Sequence, residues 1–172
     1  MIYKFYRQRI FPHLLNQVMQ TASLMDKRRE LLLPVAGEVL EIGFGTGLNL
    51  PFYQQVDTLY ALEPNPDIYR LAAQRVHEAP FEVQHIQASA EKLPFASASL
   101  NHIVSTWTLC SIANLEQALA EIYRVLKPGG RLLVLEFSKP SSQMLSKFYD
   151  TYSFNFMPLM GKLITNDAES YR

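Results

Sequence analysis

The residues best suited to chemistry in this sequence stand in short segments that each follow a predicted β-strand. The first segment is E-I-G-F-G-T-G, residues 41–47. Its glycines allow the backbone to turn sharply and to approach a ligand closely. The N-terminus of a following helix would present free N–H groups to an anionic group. Glu41, two residues before the first glycine, suits a ligand that also carries an ammonium group.

Two further segments follow the next two predicted strands. A carboxylate at Glu63 can accept hydrogen bonds from both hydroxyls of a ribose. The segment A-S-A-E, residues 88–91, offers small side chains that leave room for a flat adenine, with Ser89 as a polar contact. Each segment alone has a purely structural interpretation, as a tight turn, a solvated acid or a helix cap. Together, at one edge of a parallel sheet, they predict a nucleotide-like cofactor.

The spacing of the glycines distinguishes two classes of cofactor. The loop has the pattern G-x-G-x-G, whereas dinucleotide sites carry G-x-G-x-x-G. A dehydrogenase would also need room for a second nucleotide and a substrate domain, for which 172 residues are few. The loop therefore favours S-adenosyl-L-methionine (SAM), whose methionine carboxylate would meet the free N–H groups.

Apolar strands alternate along the chain with helical segments, which predicts an α/β fold with a Rossmann-like, doubly wound and mostly parallel sheet. The expected strands are Glu38 to Ile42, Thr58 to Leu62, Phe81 to Gln87, a strand around Ile103 and Val104, and Arg131 to Phe137. The expected helices are Leu14 to Leu33, a helix from the N-cap Asn65 and Pro66 to about His77, and Leu115 to Leu126. Asn114 and Gln117 form a capping-box-like start for the last helix, and Pro128-Gly129-Gly130 ends it.

These elements predict one domain with three parts: an N-terminal helix in residues 1–35, a cofactor-binding core in 36–137, and a helical tail in 138–172 that covers the substrate. Lys plus Arg and Asp plus Glu are equal at 16 each, which gives no basic face for nucleic acid. One cysteine, Cys110, excludes a disulfide framework and a cysteine-built metal site, and we expect no metal. No apolar run is long enough to span a membrane, so we expect a cytoplasmic protein with at most peripheral membrane contact.

The segment from Val39 to Phe137 resembles class I SAM-dependent methyltransferases throughout, including the stretch R-V-L-K-P-G-G-R-L, residues 124–132. Residues 3–114, with L-N-L-P-F-Y (48–53) and S-T-W-T-L-C-S (105–111), resemble a branch of small methyltransferases with thiol- and lipid-associated members. From Tyr123 onward the chain resembles the quinol C-methylases of ubiquinone and menaquinone biosynthesis. This second similarity lies in L-E-F-S-K-P (135–140), Y-D-T-Y-S-F (149–154) and N-D-A-E-S-Y-R (166–172).

The resemblance implies cofactor contacts at Gly43, Gly45, Thr46, Gly47, Glu63, Ser89, Ala90 and Thr106. The predicted site also includes Glu41, Pro64 and Glu91. The sequence does not identify the catalytic base. The candidates to test are three residues of the tail, Asp150, Tyr152 and Asp167.

Two departures from the quinol C-methylases stand out. Cys110-Ser111 occupies the place of their Arg-Asn pair, and the last two of the usual seven strands are not recognisable. The chain is therefore interpreted as truncated or as a fusion of two branches. An edge strand with free N–H and C=O groups would follow, and we expect self-association through Arg131 to Phe137.

The expected function is SAM-dependent methylation of a small apolar acceptor, with a prenylated quinol as the leading candidate. Two alternatives stay open: methylation of a thiol or a lipid amine, and SAM binding without turnover.

Overall fold

Five β-strands form a single sheet in the computed structural model, which describes residues 16–137. The strands are β1 (Ala36–Ile42), β2 (Gln55–Leu62), β3 (Glu82–Ile86), β4 (Leu100–Thr106) and β5 (Leu126–Leu135). Their order is β3-β2-β1-β4-β5, and each neighbouring pair is parallel. The direction of winding reverses between β1 and β4, and the crevice beyond the carboxyl ends at such a point is where open α/β sheets bind ligands. The predicted fold class is confirmed.

Alternation of side chains along the strands divides the core between the two faces of the sheet. Val39, Leu59 and Val104 are fully buried in one cluster, together with the helix residue Leu32. Leu40 and its neighbours form a second cluster on the other face, which the last helix covers with Ala118, Ile122 and Val125. Side chains of β1 therefore point in turn to one cluster and then to the other.

Residues 16–18 are helical, and the helices after them are α1 (Ala22–Leu32), α2 (Pro66–Arg70), α3 (Ala73–Glu78) and α4 (Leu115–Val125), with 3₁₀ turns at Leu50–Phe52 and Leu109–Ser111. Two start as the sequence predicts. Asn65 caps α2 by accepting from the backbone N–H of Asp67 at 2.9 Å, with Pro66 at the first position. Asn114 caps α4 by accepting from the N–H of Gln117 at 3.1 Å.

Three element boundaries differ from the prediction. The helix expected from residue 65 to about 77 is divided into α2 and α3, and α1 begins only at Ala22, after a turn at residues 19–20. Strand β5 begins at Leu126, so that Pro128-Gly129-Gly130 lies inside it instead of ending the preceding helix in a loop. A register shift between Leu100 and His102 in the pairing with β4 accompanies this early start. Proline is tolerated there because Pro128 lies in this irregularity, between the paired residues Leu126 and Arg131, and has no register partner on β4.

Strand β5 is therefore an edge within residues 16–137, and self-association through it stays a prediction. No helix in this part of the chain combines the length and the apolar composition that crossing a membrane requires. The predicted tail, residues 138–172, lies outside the described residues, as does the predicted helix start at Leu14.

Candidate cofactor site

A pocket of about 430 Å³ opens at the carboxyl ends of β1, β2 and β4, where the sheet winding reverses. Its volume falls within the usual range for small-molecule sites. Its walls come from the loops after the first four strands. The lining residues are Ile42, Gly43, Leu62, Glu63, Pro64, Ile68, Ala88, Ser89, Ala90, Glu91, Thr108, Ser111, Ile112 and Ala113.

The three glycines of the loop after β1 all have positive φ, but they differ in what surrounds them. A Cβ on Gly43 would lie 2.2 Å from side-chain atoms of Thr108, and a Cβ on Gly47 would lie 3.0 Å from Leu50. Among residues 16–137, a Cβ on Gly45 would meet only the carbonyl oxygen of Gly43, at 3.8 Å. Packing within the protein therefore accounts for Gly43 and Gly47, whereas Gly45 leaves open space that a closely approaching ligand can use.

Glu63 lies at the pocket with 7% of its surface exposed. One carboxylate oxygen accepts from the N–H of Gly45 at 3.0 Å, and the other accepts from the N–H of Asn65 at 2.9 Å. Its backbone carbonyl lies 2.9 Å from Nε2 of His85, whose ring stacks on Tyr69 at 3.8 Å. Each carboxylate oxygen keeps a further lone pair for a hydroxyl donor. The structure thus ties the predicted ribose acid directly to the glycine loop.

The loop after β3 forms the opposite wall of the pocket. The hydroxyl of Ser89 donates to the carboxylate of Glu91, which also accepts from the backbone N–H of Asn114 at 3.2 Å. This bond takes the place of the return bond that a capping box would require from Gln117. Ala90 is 5% exposed and packs in the core cluster under α4. Glu91 therefore joins the loop after β3 to the start of α4.

Glu41 belongs to a buried polar network below the glycine loop and does not line the pocket. It is 1% exposed. Its carboxylate accepts from the amide of Asn49 at 2.9 Å and from the hydroxyl of Tyr53 at 2.7 Å. Asn49 also accepts from the guanidinium of Arg28 at 2.6 Å and donates to the hydroxyl of Thr106 at 3.2 Å. The network thus connects α1 to the ends of β1 and β4.

Burial controls the charges in this network. Desolvation raises the pKa of Glu41 to about 7, against the hydrogen bond from Tyr53, the positive charge of Arg28 and the hydrogen bond from Asn49, which all lower it. Burial likewise lowers the pKa of Arg28, which nearby Glu41 partly restores. The Nε atom of Arg28 has no hydrogen-bond partner among residues 16–137. The face of its guanidinium lies 4.6 Å from the ring centre of Trp107.

The structure brings six of the predicted cofactor residues together at the pocket: Gly43, Glu63, Pro64, Ser89, Ala90 and Glu91. Gly45 lies beside them through its bond to Glu63. Thr46 and Gly47 lie apart: Thr46 borders a separate hollow of about 380 Å³ with Arg75, and Gly47 packs against the core. Contact of the cofactor with these residues stays a prediction.

Glu41 and Thr106 are placed differently from the expectation. Their side chains accept hydrogen bonds from Asn49 and Arg28, because both point to the sheet face that α1 covers. The weak catalytic candidates Asp150, Tyr152 and Asp167 lie outside the described residues. Within the described part of the chain no cluster of three metal-ligating side chains occurs.

Four residues of the site were not singled out from the sequence: Arg28, Asn49, Tyr53 and Thr108. Asn49 and Tyr53 lie in the segment L-N-L-P-F-Y, where two polar side chains among apolar ones were the available signal. Arg28 contacts a partner far away in the chain, so no local pattern could reveal it.

Comparison with known proteins identifies the family of this chain. The model of the ubiE/COQ5 methyltransferase family matches residues 13–172. A ubiquinone/menaquinone biosynthesis C-methyltransferase UbiE from Azotobacter vinelandii is 48% identical over 141 residues, covering 78% of this chain and 55% of the relative. The protein of the same name from Ectopseudomonas mendocina is 60% identical over 90 residues, covering 52% of this chain and 35% of the relative. The chain thus spans about a third to about half the length of these curated relatives.

Solved structures agree on the fold. A SAM-dependent methyltransferase from Thermotoga maritima, described as a possible histamine N-methyltransferase, is 25% identical with a TM-score of 0.57, over 85% of this chain and 68% of that one. A SAM-dependent methyltransferase from Aquifex aeolicus, 18% identical, has a TM-score of 0.61 over 92% of this chain and 87% of that one. The predicted methyltransferase class is confirmed, and the neighbour from Thermotoga maritima, named as SAM-dependent, agrees with the predicted cofactor. Because the family model covers nearly all of the sequence, the chain belongs to the ubiE/COQ5 methyltransferase family.

Proposed function

We propose that this chain binds SAM in the pocket beside Glu63 and provides the cofactor-binding part of a C-methyltransferase that acts on a prenylated quinol. One observation carries the proposal: the carboxylate of Glu63 and the N–H of Gly45 meet at 3.0 Å on the wall of the pocket. That contact joins an acceptor of ribose hydroxyls to a loop that leaves room for a ligand. The relatives named for C-methylation in ubiquinone and menaquinone biosynthesis supply the acceptor class.

The residues at the pocket fit the three parts of SAM. Glu63 offers free carboxylate lone pairs to the ribose. Ile68, Ala88 and Ile112 offer an apolar lining on which an adenine can lie. Gly45 has open space above its Cα, so the methionine end of the cofactor can approach the backbone there.

SAM supplies the activated methyl group, so the protein contributes mainly position and exclusion of water. Glu63 fixes the ribose, and the glycine loop fixes the methionine end. The apolar lining of the pocket keeps water away from the transfer. A carbon acceptor must also lose a proton, and Asp150, Tyr152 and Asp167 stay the groups proposed to accept it.

We propose a cytoplasmic location with peripheral membrane contact, since a prenylated acceptor partitions into lipid. This part of the proposal is tested by flotation of the protein with liposomes that contain the quinol, compared with liposomes without it.

Calorimetric titration of the full chain with SAM tests the cofactor site. Glu63→Ala removes two charge-assisted hydrogen bonds to the ribose, each worth about 1.5–3 kcal/mol, so the affinity should fall at least about tenfold. Asp57→Ala, which removes an exposed carboxylate of β2, is the matched control and should bind as the parent does. Equal affinity for SAM in Glu63→Ala and the parent would refute the placement of the site.

Transfer of a labelled methyl group from SAM tests the acceptor. A prenylated hydroquinone should be methylated on carbon, whereas a thiol and a lipid amine should not. Transfer to the thiol or the amine alone would refute the quinol as the acceptor and support the alternative of a thiol or lipid-amine methyltransferase. SAM binding without transfer to any acceptor would overturn the proposed activity and leave cofactor binding as the function.

A further inference from the structure

The loop after β4, residues 107–113, forms one wall of the cofactor pocket through Thr108, Ser111, Ile112 and Ala113. It begins with an unfavourable backbone: Trp107 has a φ of 53°, in the left-handed region that non-glycine residues seldom adopt. Such a conformation persists only where surrounding contacts stabilise it. The residues that hold this loop are therefore of interest for the site.

One carboxylate holds the loop from the end of β5. A single oxygen, Oε1 of Glu136, accepts from the backbone N–H of Thr108 at 2.8 Å and of Leu109 at 2.9 Å. These N–H groups belong to the N-cap Thr108 and the first residue of the 3₁₀ turn Leu109–Ser111, where free backbone donors need a partner. Beside them the N–H of Trp107 donates to the carbonyl of Leu135 at 2.7 Å. The end of β5 thus binds three successive N–H groups of the loop.

The held loop in turn contacts the glycine loop. The side chain of Thr108 occupies the space where a Cβ of Gly43 would lie, and its hydroxyl donates to the carbonyl of Thr106 at 3.1 Å. The carbonyl of Thr108 accepts from the hydroxyl of Ser111 at 2.7 Å. A displacement of Thr108 would therefore change two walls of the pocket together, the wall after β4 and the wall after β1.

We propose that Glu136 is a positioning residue for methyl transfer, which holds the loop 107–113 against the glycine loop and so sets the shape of the cofactor pocket. The proposal rests on the proposed function for its effect on SAM. Its structural part, the anchoring of the loop by an acceptor oxygen, does not depend on that function. Glu136 lies in the segment L-E-F-S-K-P (135–140) but does not line the pocket, and it acts on the pocket wall through backbone N–H groups.

Trp107 is the only tryptophan of the chain, so tryptophan fluorescence reports on the start of this loop and its contact with Arg28. Three variants separate acceptor geometry from charge. Glu136→Gln keeps an acceptor oxygen at the same reach without the charge, Glu136→Asp keeps the charge but is one methylene shorter, and Glu136→Ala removes both. Asp57→Ala is the control for the loss of a carboxylate elsewhere. The readouts are Trp107 emission, hydrogen exchange at the amides of Thr108 and Leu109, and SAM affinity by calorimetry.

We expect Glu136→Ala to shift the Trp107 emission, to speed exchange at the two amides at least about tenfold, and to weaken SAM binding about tenfold, as loss of hydrogen bonds to a charged acceptor implies. Glu136→Gln should stay close to the parent in all three measurements, whereas Glu136→Asp should change them as the alanine variant does. The comparison of Gln with Asp decides the matter even if the alanine variant does not fold.

Unchanged exchange at both amides in Glu136→Asp, or a glutamine variant as impaired as the aspartate one, would overturn the proposal. If the parent binds no SAM, the proposed function fails, while fluorescence and exchange still test the anchoring. If exchange rises as expected but SAM affinity does not change, the loop is anchored by Glu136 without setting the cofactor pocket, which also overturns the proposal.

Discussion

Alanine can be substituted one at a time for the three glycines of the loop after β1, Gly43, Gly45 and Gly47. These variants distinguish glycines required for packing within the protein from a glycine required for ligand binding. All three have positive φ, between 58° and 74°. Each Gly→Ala change therefore carries a similar backbone cost, about 1–2 kcal/mol. What differs is the surroundings of the added methyl group, so that differences between the variants report on packing.

The structure ranks the three variants by stability. In Gly43→Ala the new Cβ lies 2.2 Å from atoms of Thr108, so overpacking adds about 1–3 kcal/mol to the backbone cost and the total reaches about 2–5 kcal/mol. In Gly47→Ala the nearest atom is the end of a leucine side chain, Cδ1 of Leu50 at 3.0 Å, and the cost should be intermediate. In Gly45→Ala the described part of the chain places nothing but a carbonyl oxygen, at 3.8 Å, near the new methyl group, and the backbone cost alone should remain.

The affinity for SAM should rank the three variants differently from their stability. Gly45→Ala fills the space that the proposed site leaves for the methionine end of SAM, so its affinity should fall at least about tenfold, or about 1.4 kcal/mol, although it is the least destabilised. Urea unfolding gives the stabilities and calorimetry gives the affinities. The reasoning is refuted if Gly45→Ala is as unstable as Gly43→Ala, or if it binds SAM as tightly as the parent.

Three further predictions concern the residues around the loop. Because burial raises the pKa of Glu41 from 4.5 to about 7, the folded state holds that proton more tightly than the unfolded chain, and stability should fall by about 3 kcal/mol as pH rises from about 4.5 to 7. Urea unfolding at several pH values should show this slope in the parent and lose it in Glu41→Gln; a persistent slope would assign it to another group. Arg28→Leu leaves Asn49 and the carboxylate of Glu41 without their cation, so it should lower the unfolding free energy by about 3–5 kcal/mol in the same assay, and a loss under 1 kcal/mol would contradict the buried network. Asn114→Ala removes the cap of α4 and should lower the melting temperature through a loss of about 1 kcal/mol, which Asn114→Gly should largely avoid; equal losses in both would argue against the cap.

Local chemistry made much of the fold predictable. The N-caps Asn65 and Asn114 act on backbone N–H groups two or three residues ahead, so the sequence around them contains the whole interaction. The strands were recognisable from apolar runs bounded by glycine and proline. Early entry of β5 into the sheet, at Leu126, was not predictable in this way. Leu126 already pairs with Leu100 of β4, and Pro-Gly-Gly forms an irregularity inside the strand instead of a loop before it.

The direction of side chains explains why only part of the predicted site lines the pocket. Glu41 and Glu63 both follow apolar strand residues, and the sequence places both at the cofactor site. Glu41 still belongs to β1, where alternation turns it to the face that holds Val39 and Val104, beneath α1. Glu63 comes after the last residue of β2 and turns back to the glycine loop instead. Counting the alternation along β1 could have separated them, since Val39 and Glu41 share a face.

The contacts that shape the glycine loop come from elsewhere in the chain, and this limits what the motif alone can do. Glu63 holds the N–H of Gly45, and Thr108 fills the space beside Gly43. Thr108 is held in turn by Glu136 at the end of β5. Three glycines with positive φ have little conformational preference of their own, so these contacts must select one conformation. The strand order, which brings the ends of β1, β2, β4 and β5 to one edge, is therefore as much a determinant of the pocket as the glycine motif is.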